Sequence, residues 1–201
     1  MNSGADTENA LVVRWCGEAL DLYPDGSAFH AAGGTLFVAD VHVGKPAYFR
    51  ARGRPVPEEV TRYDLDRLTE RLRATGAERL VVLGDLLHAP VARNGGTANA
   101  LREWRDSNAS IGVFLVLGNH DRRSSRVFAE AGVEILPAGG TDGPFALRHE
   151  PIAEGASAPV LAGHLHPSVR IRSRSSSWLR CSCFWFGAST GVLPAFGRFT
   201  G

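Results

Sequence analysis

Most of the histidines of this chain lie in four short motifs, each of which follows a short apolar run. In chain order the motifs are Asp40-Val41-His42, Gly84-Asp85-Leu86-Leu87-His88, Gly118-Asn119-His120-Asp121 and Gly163-His164-Leu165-His166. The runs before them, rich in Val, Leu and Phe, are typical of buried strands. Polar side chains at strand ends stand on rigid supports, and several strands can bring them to one place. The pattern therefore predicts one polar centre built from distant parts of the chain.

The residue types in the motifs indicate a metal centre. Imidazole nitrogens mixed with carboxylate and amide oxygens suit Mn, Fe, Zn, Co or Ni better than Ca or Mg. Asp40 and His42 are two residues apart, as are His164 and His166, so in extended chain each pair points to one side. A carboxylate such as Asp85 has two oxygens and can bridge two ions, and two ions about 3.5–4 Å apart can clamp both oxygens of a phosphoryl displacement.

Each motif taken alone has a simpler interpretation. Asp40-Val41-His42 could be a polar strand end, and Gly118-Asn119-His120-Asp121 could be a turn, since Gly, Asn and Asp favour turns. Four such motifs in order, each after a predicted strand, favour the metal centre.

The motifs resemble those of the calcineurin-like metallophosphoesterase superfamily. Within it, the chain is similar to the bacterial metallophosphoesterases associated with a DNA ligase and a DEXH-box helicase, a PdeM-type group of repair endonucleases. The segments that carry the narrower resemblance are Val38–Lys45, Arg52–Pro57, Leu83–His88, Arg148–Pro151, Cys183–Phe186 and Leu193–Gly201. The resemblance runs from about Trp15 to the C-terminus and so covers nearly the whole chain.

The resemblance implies a ligand set and a general acid. One ion would be held by Asp40, His42 and His166, the other by Asn119, His149 and His164, with Asp85 between them. His149 is followed by Glu150-Pro151, where the superfamily usually has glycine. His120 would protonate the leaving oxygen, with Asp121 orienting its ring, and a metal-activated water would attack. His88 and Arg122 would lie just behind the ligands or line the pocket.

Bulk properties restrict the other possibilities. The chain has 201 residues, of which 44% are hydrophobic, and this is typical of one ordinary globular domain. Its net charge is +1, so it lacks the overall positive charge that many nucleic-acid-binding proteins carry. Three cysteines do not make a disulfide framework, and no signal peptide or membrane-spanning run is apparent, so a cytoplasmic protein is expected. We expect a flexible tail over residues 1–10 and one metallophosphoesterase domain over 11–201.

Alternating strands and helices in the first part, followed by strands alone, predict an α/β fold of two packed sheets. The resemblance implies a four-layer α/β/β/α sandwich. Residues 179–186 are expected to form one strand, and residues 172–177 a solvated hairpin loop. Trp178, Phe184, Trp185 and Phe186 could stack on bases, but packing in the core is the favoured interpretation. His30 is expected at the surface.

Basic residues cluster after two of the motifs. They are Lys45, Arg50, Arg52 and Arg54 after the first, and Arg122, Arg123 and Arg126 after the third. The ordinary interpretation is that these residues form a solvated surface. The more specific interpretation is that they bind the phosphate backbone of a nucleic acid.

The favoured hypothesis is a two-metal phosphodiesterase, a nuclease acting on DNA in bacterial repair beside an ATP-dependent ligase and a helicase. The DNA substrate and both partners are implied by the resemblance alone. One alternative is a small-molecule phosphatase or cyclic-nucleotide phosphodiesterase. Another is a binding scaffold without catalysis, against which the intact set of Asp, Asn and His residues argues.

Overall fold

The computed structural model describes residues 10–54, 59–152, 156–172 and 177–198. The α-helices are α1 Lys45–Arg50, α2 Glu59–Thr75, α3 Gly96–Ser107 and α4 Ser125–Glu130. The strands are β1 Leu11–Trp15, β2 Glu18–Leu22, β3 Ala28–His30, β4 Thr35–Val38, β5 Arg79–Val82, β6 Gly112–Leu115, β7 Glu134–Ile135, β8 Thr141–Asp142, β9 Phe145–Leu147, β10 Val160–Ala162, β11 Ser168–Arg172, β12 Trp178–Ser182, β13 Trp185–Phe186 and β14 Thr190–Val192. A short 3-10 turn occupies Ala31–Gly33.

Strands β1 to β7 form a seven-stranded sheet in sequence order. Strands β1 to β4 are antiparallel neighbours, and β4 to β7 are parallel neighbours. The parallel part brings the carboxyl ends of β4, β5 and β6 to one edge, and the first three motifs follow these ends. The expected strands at the first three motifs are therefore confirmed.

After their first residues, Thr35 and Arg79, the central strands β4 and β5 are apolar because both of their faces are buried. In β4 and β5, Leu36 and Leu80 belong to the core beneath the helices, whereas Phe37 and Val81 belong to the core between the two large sheets. All four are fully buried. Parallel strands covered on both faces read as continuous hydrophobic runs, which is why the sequence pattern was informative here.

A five-stranded sheet in the order β13-β14-β10-β9-β8 packs on the other side. Its central strands β9, β10 and β14 are parallel neighbours, and the two outer pairs are antiparallel. Phe145 of this sheet stacks on Trp15 with ring centroids 6.3 Å apart and meets Phe37 edge-on at 5.7 Å. These aromatic contacts fix the two sheets face to face.

The expected α/β fold with two mixed sheets is confirmed. Within the described residues all four α-helices lie between Gly44 and Ala131, so the helical layer covers the seven-stranded sheet. The flexible tail expected over residues 1–10 lies outside the described residues except for Ala10, as does the centre of the expected hairpin loop at 173–176. None of the described helices is both long and apolar enough to cross a membrane.

Three expectations about individual residues were wrong. His30 is buried, because its Nε2 lies 3.0 Å from Oε2 of Glu18 and its ring meets Phe145 edge-on. Trp178 and Trp185 are not in the core, since they are 64% and 48% exposed. Phe184 and Phe186, by contrast, pack against the core between the sheets.

The single strand expected over residues 179–186 was also wrong. It is two strands, β12 and β13, which belong to different sheets. The chain leaves β12 at Cys183, whose N–H donates to the carbonyl oxygen of Pro167 at 3.0 Å. Within the described residues, strands β11 and β12 pair only with each other and form a separate antiparallel hairpin.

Candidate metal centre

The four motifs and His149 meet where the two sheets come together. Asp40, Asp85 and Asn119 follow β4, β5 and β6, and His149 and His164 follow the parallel strands β9 and β10. The N–H of His164 donates to Oδ2 of Asp40 at 2.8 Å, and the N–H of His120 donates to Oδ1 of Asp85 at 2.9 Å. Strand ends of both sheets are thereby tied together directly by the polar side chains.

Backbone strain is concentrated at this centre. Among the described residues, the non-glycine positions with positive φ are Cys16, Asp40, His42, Asp85, His164 and His166. All but Cys16 are predicted ligands. A non-glycine residue in this region costs on the order of 1–3 kcal/mol and persists only where the surroundings enforce it. The ends of the strands therefore hold these residues in strained backbone conformations that direct their side chains into the centre.

Two glycines of the motifs are required by close packing. A Cβ on Gly84 would collide with the ring of His149, and a Cβ on Gly118 would collide with the carboxylate of Asp85. Each glycine thus leaves room for a ligand that arrives from another strand. This accounts physically for the glycine that precedes the ligand in these motifs.

Asp40, His42 and His166 form the first cluster whose ligand atoms lie close enough together to hold one ion. Asp40 is fully buried, and its Oδ1 has no hydrogen-bond partner among the described residues. Nε2 of His166 lies 3.5 Å from that oxygen. A buried carboxylate oxygen without a hydrogen bond is costly unless it pairs with a charge or coordinates a metal, so Oδ1, with the His166 imidazole beside it, fits a cation.

His149, Asn119 and His164 converge beside Asp85 in the second cluster. Nε2 of His149 lies 2.9 Å from Oδ1 of Asn119, 3.1 Å from Nδ1 of His164 and 3.7 Å from Oδ2 of Asp85. Nδ1 of His149 lies 3.0 Å from the carbonyl oxygen of Leu83 and donates to it, which leaves Nε2 for a metal. His149 takes this position although Glu150-Pro151 follows it in place of glycine.

Asp85 lies between the two clusters. Its Oδ2 is 3.9 Å from Nε2 of His42 on one side and 3.7 Å from Nε2 of His149 on the other. It is 3% exposed. One carboxylate can therefore face two ions, and the donor set of imidazoles, carboxylates and one amide oxygen fits divalent transition metals.

A third group, His42, His88 and His120, also has nitrogens close enough for one ion. Nδ1 of His88 lies 3.4 Å from Nδ1 of His42, and the ring of His88 stacks on that of His120 at 5.1 Å. Burial, then the charges of Lys45 and neighbouring histidines, lowers the pKa of His42 to about 2. Burial, Lys45, His120 and Arg52 lower the pKa of His88 to about 4. Both rings are therefore neutral at pH 7, as ligand imidazoles must be.

Asp121 does not orient the ring of His120, contrary to expectation. Its buried carboxylate accepts N–H bonds from Gly118 at 3.0 Å, Leu87 at 3.0 Å and Leu86 at 3.4 Å. Burial, opposed by these three amides and reinforced by the charge of Asp85, raises its pKa. Asp121 thus joins the loops after β5 and β6 and holds the backbone of Asp85 and His120 in place.

The basic residues after the first motif lie beside this centre. Arg52 is exposed, with its guanidinium 3.5 Å from the ring centroid of Tyr48, and Tyr48 meets His88 edge-on at 4.9 Å. The exposed Arg54 lies 5.5 Å from the ring centroid of Phe49, which stacks on His88. Sequence reasoning missed Tyr48 and Phe49, although an aromatic pair shortly after His42 was a usable signal.

The other predicted basic residues lie on α1 and directly after the third motif. Arg50 is half-buried on α1, and Lys45 is half-buried at the start of that helix, where burial lowers its pKa. Arg122, Arg123 and Arg126 are exposed just after the third motif.

The fold and the clustered Asp, Asn and His side chains define a metal-dependent phosphoesterase. The family model for calcineurin-like phosphoesterases matches residues 35–166, and the chain belongs to that family. The match extends from the start of β4 to His166 and so contains all the predicted ligands.

Solved structures refine the comparison. The crystal structure of Pseudomonas putida nuclease MPE matches with 37% identity and a TM-score of 0.82, covering 96% of this chain and 90% of that one. The phosphoesterase Yfce from E. coli matches with 17% identity and a TM-score of 0.46, covering 83% of each chain. No curated protein matches this chain significantly.

Proposed function

We propose that this protein is a binuclear metal-dependent phosphodiesterase that cleaves polynucleotides, with DNA as the substrate. The observation that carries the proposal is Asp85, a buried carboxylate that lies between two groups of predicted metal ligands. The likeness of this chain to a nuclease over nearly its whole length supports a polynucleotide substrate.

In this proposal Asp40, His42 and His166 hold one divalent ion, and Asn119, His149 and His164 hold the other, with Asp85 shared. The ions, manganese being the first candidate, would supply an activated water and neutralise charge on the phosphate. The low pKa of His42 keeps its imidazole neutral and available across the physiological range.

His120 is proposed as the general acid. Its backbone N–H is fixed by Oδ1 of Asp85, while its side chain is 38% exposed and can reach a substrate above the centre. The imidazole would deliver its proton to the leaving oxygen. His88 stacks against it and is proposed to limit the directions in which the ring can turn.

An open site favours a polymer over a small enclosed diester. Asn119, His164 and Leu165 are exposed at the centre, and the exposed arginines Arg52 and Arg54 lie against the aromatic rings beside His88. Lys45 and Arg50, with Arg122, Arg123 and Arg126 after the third motif, extend the basic rim. A guanidinium fork suits the phosphates that flank the scissile one.

A role in DNA repair beside an ATP-dependent ligase and a DEXH-box helicase extends the proposal and rests on the family resemblance. Affinity purification of the chain from its native cells, with identification of co-purifying proteins, tests this part. Recovery of neither enzyme under conditions that preserve weak complexes would count against a stable assembly.

The chemical proposal is tested with two substrates. Wild-type protein with manganese should hydrolyse both bis(p-nitrophenyl) phosphate and a labelled single-stranded oligonucleotide, and EDTA should abolish both activities. Hydrolysis of the small diester alone would favour the small-molecule alternative. Inactivity towards both, in protein that binds metal, would favour a scaffold.

A further inference from the structure

The hairpin of β11 and β12 has two chemically different faces. The register pairs Val169 with Cys181 and Ile171 with Leu179, and residues directly opposite in an antiparallel pair share a face. These four residues form the apolar face. The other face, which we call the basic face, carries Ser168, Arg170, Arg172, Trp178, Arg180 and Ser182.

Both faces are open to solvent. Trp178 is 64% exposed, and Arg170, Arg172 and Arg180 are all exposed. The hairpin pairs with neither large sheet in the part of the chain that the structure describes. The exposed tryptophan shares its face with three exposed arginines, so one surface offers both an aromatic ring for stacking and positive charge.

The charges on the basic face are not balanced within the hairpin. Arg170 stands directly opposite Arg180, and Arg172 lies next to them on the same face. Like charges directly opposite one another destabilise a strand pair. Among the described residues no carboxylate forms an ion pair with any of the three, and Nε of Arg180 donates to Oγ of Ser168 at 2.8 Å. The arrangement therefore suits an anionic partner.

The hairpin begins at the metal centre. Ser168 follows the predicted ligand His166 by two residues. At about 3.3 Å per residue, the Cα atom of Arg170 lies at most roughly 13 Å from that of His166, and Arg172 lies two residues, or about 7 Å, further along the strand. A strand of nucleic acid held at the centre could thus continue along the hairpin.

We propose that the basic face binds the single strand on one side of the cleavage site. The arginines contact successive phosphates, and a base stacks on Trp178. This inference deepens the proposed function and rests on it. A single strand fits better than a duplex, because its bases are free to stack on an aromatic ring, and such stacking does not depend on sequence.

Binding of a fluorescent oligothymidylate at several salt concentrations tests the proposal. It is measured on manganese-loaded protein carrying His120→Ala, which suppresses cleavage. Arg170→Gln with Arg172→Gln should weaken binding and reduce the slope of log K against log salt by about 1.4, since each contact to a single strand contributes about 0.7. Trp178→Ala should weaken binding by about 5- to 150-fold, and Trp178→Phe should restore most of it.

Two controls make the result specific. Arg14→Gln with Arg73→Gln removes the same charge from exposed positions on β1 and α2 and should leave the slope unchanged. Ile171→Ser with Leu179→Ser alters only the apolar face and should leave affinity unchanged. Thermal midpoint and bound manganese are checked for every variant to establish that each is folded.

Several outcomes would overturn the proposal. One is an unchanged affinity and slope for the basic-face variants. Another is an equal loss from the apolar-face variant, which would point to a protein partner instead. If wild-type protein cleaves the single strand while the basic-face variants bind as tightly as it does, only the hairpin proposal fails. If wild-type protein hydrolyses the small diester but no polynucleotide, the proposed function fails first.

Discussion

Bound metal ions stabilise the folded protein. Replacing Asp85 with Asn should abolish the stabilisation by both ions and not only the stabilisation by one of them. The two side chains have nearly the same size, so the change removes charge and one acceptor oxygen. Oδ2 of Asp85 lies between His42 on one side and His149 on the other. A shared ligand that loses its charge weakens both sites, whereas loss of a ligand at the periphery weakens one.

The magnitude follows from linkage between binding and folding. An ion present at 100 times its dissociation constant stabilises the fold by about 2.7 kcal/mol, so two independent ions give about 5 kcal/mol. For a chain of 201 residues, 1 kcal/mol corresponds to roughly 2–4 °C in the thermal midpoint. We therefore expect manganese to raise the midpoint of wild-type protein by about 10–20 °C.

The assay is thermal unfolding with saturating manganese and with EDTA. His166→Gln, which removes one imidazole from the first cluster, should retain about half of the wild-type shift. Asp85→Asn should show almost none. Asp66→Asn serves as the matched control, because Asp66 is exposed on α2 and should keep the full shift. If Asp85→Asn retained as large a shift as His166→Gln, the shared position of Asp85 would be refuted.

Three further variants test other parts of the site. His120→Ala should retain metal but lose roughly 10²–10⁴-fold in turnover on an alkoxide leaving group, and much less on p-nitrophenolate; equal losses on both substrates would contradict the acid role. A triple variant with Arg50→Gln, Arg52→Gln and Arg54→Gln should bind DNA more weakly. The slope of log K against log salt should fall by about 0.7 for each lost contact. Unchanged binding would contradict a role of these arginines in holding DNA. Gly118→Ala should lower bound metal and activity, because its Cβ would meet the Asp85 carboxylate. Gly96→Ala is the control and should change neither, because its Cβ meets no atom within 4 Å. Similar behaviour of the two variants would contradict the requirement for glycine at position 118.

The ligand-bearing strands were predictable because their signals are local. Strands such as β4 and β5 are buried on both faces, so they are apolar after their first residue, and each is followed within three residues by a predicted aspartate ligand. Asp40, His42 and His166 were expected to lie close together, and their ligand atoms do lie close together in the structure. What the residues alone could not supply was the pairing of the two sheets, which depends on contacts such as that between Trp15 and Phe145.

The errors have a common physical origin in long-range contacts. Asp121 follows His120 in sequence, but its carboxylate is drawn to amides on the neighbouring loop after β5. His30 is buried because Glu18 lies on the adjacent part of the sheet. For the segment from Trp178 to Phe186, the apolar residues did not indicate where the chain passes from the hairpin into the five-stranded sheet.

Anomalous diffraction from crystals of the manganese-loaded protein would locate the ions directly. We expect two manganese peaks, one among Asp40, His42 and His166 and one among Asn119, His149 and His164, with Asp85 contacting both. A single peak held by His42, His88 and His120, with Asp85 contacting no ion, would contradict it.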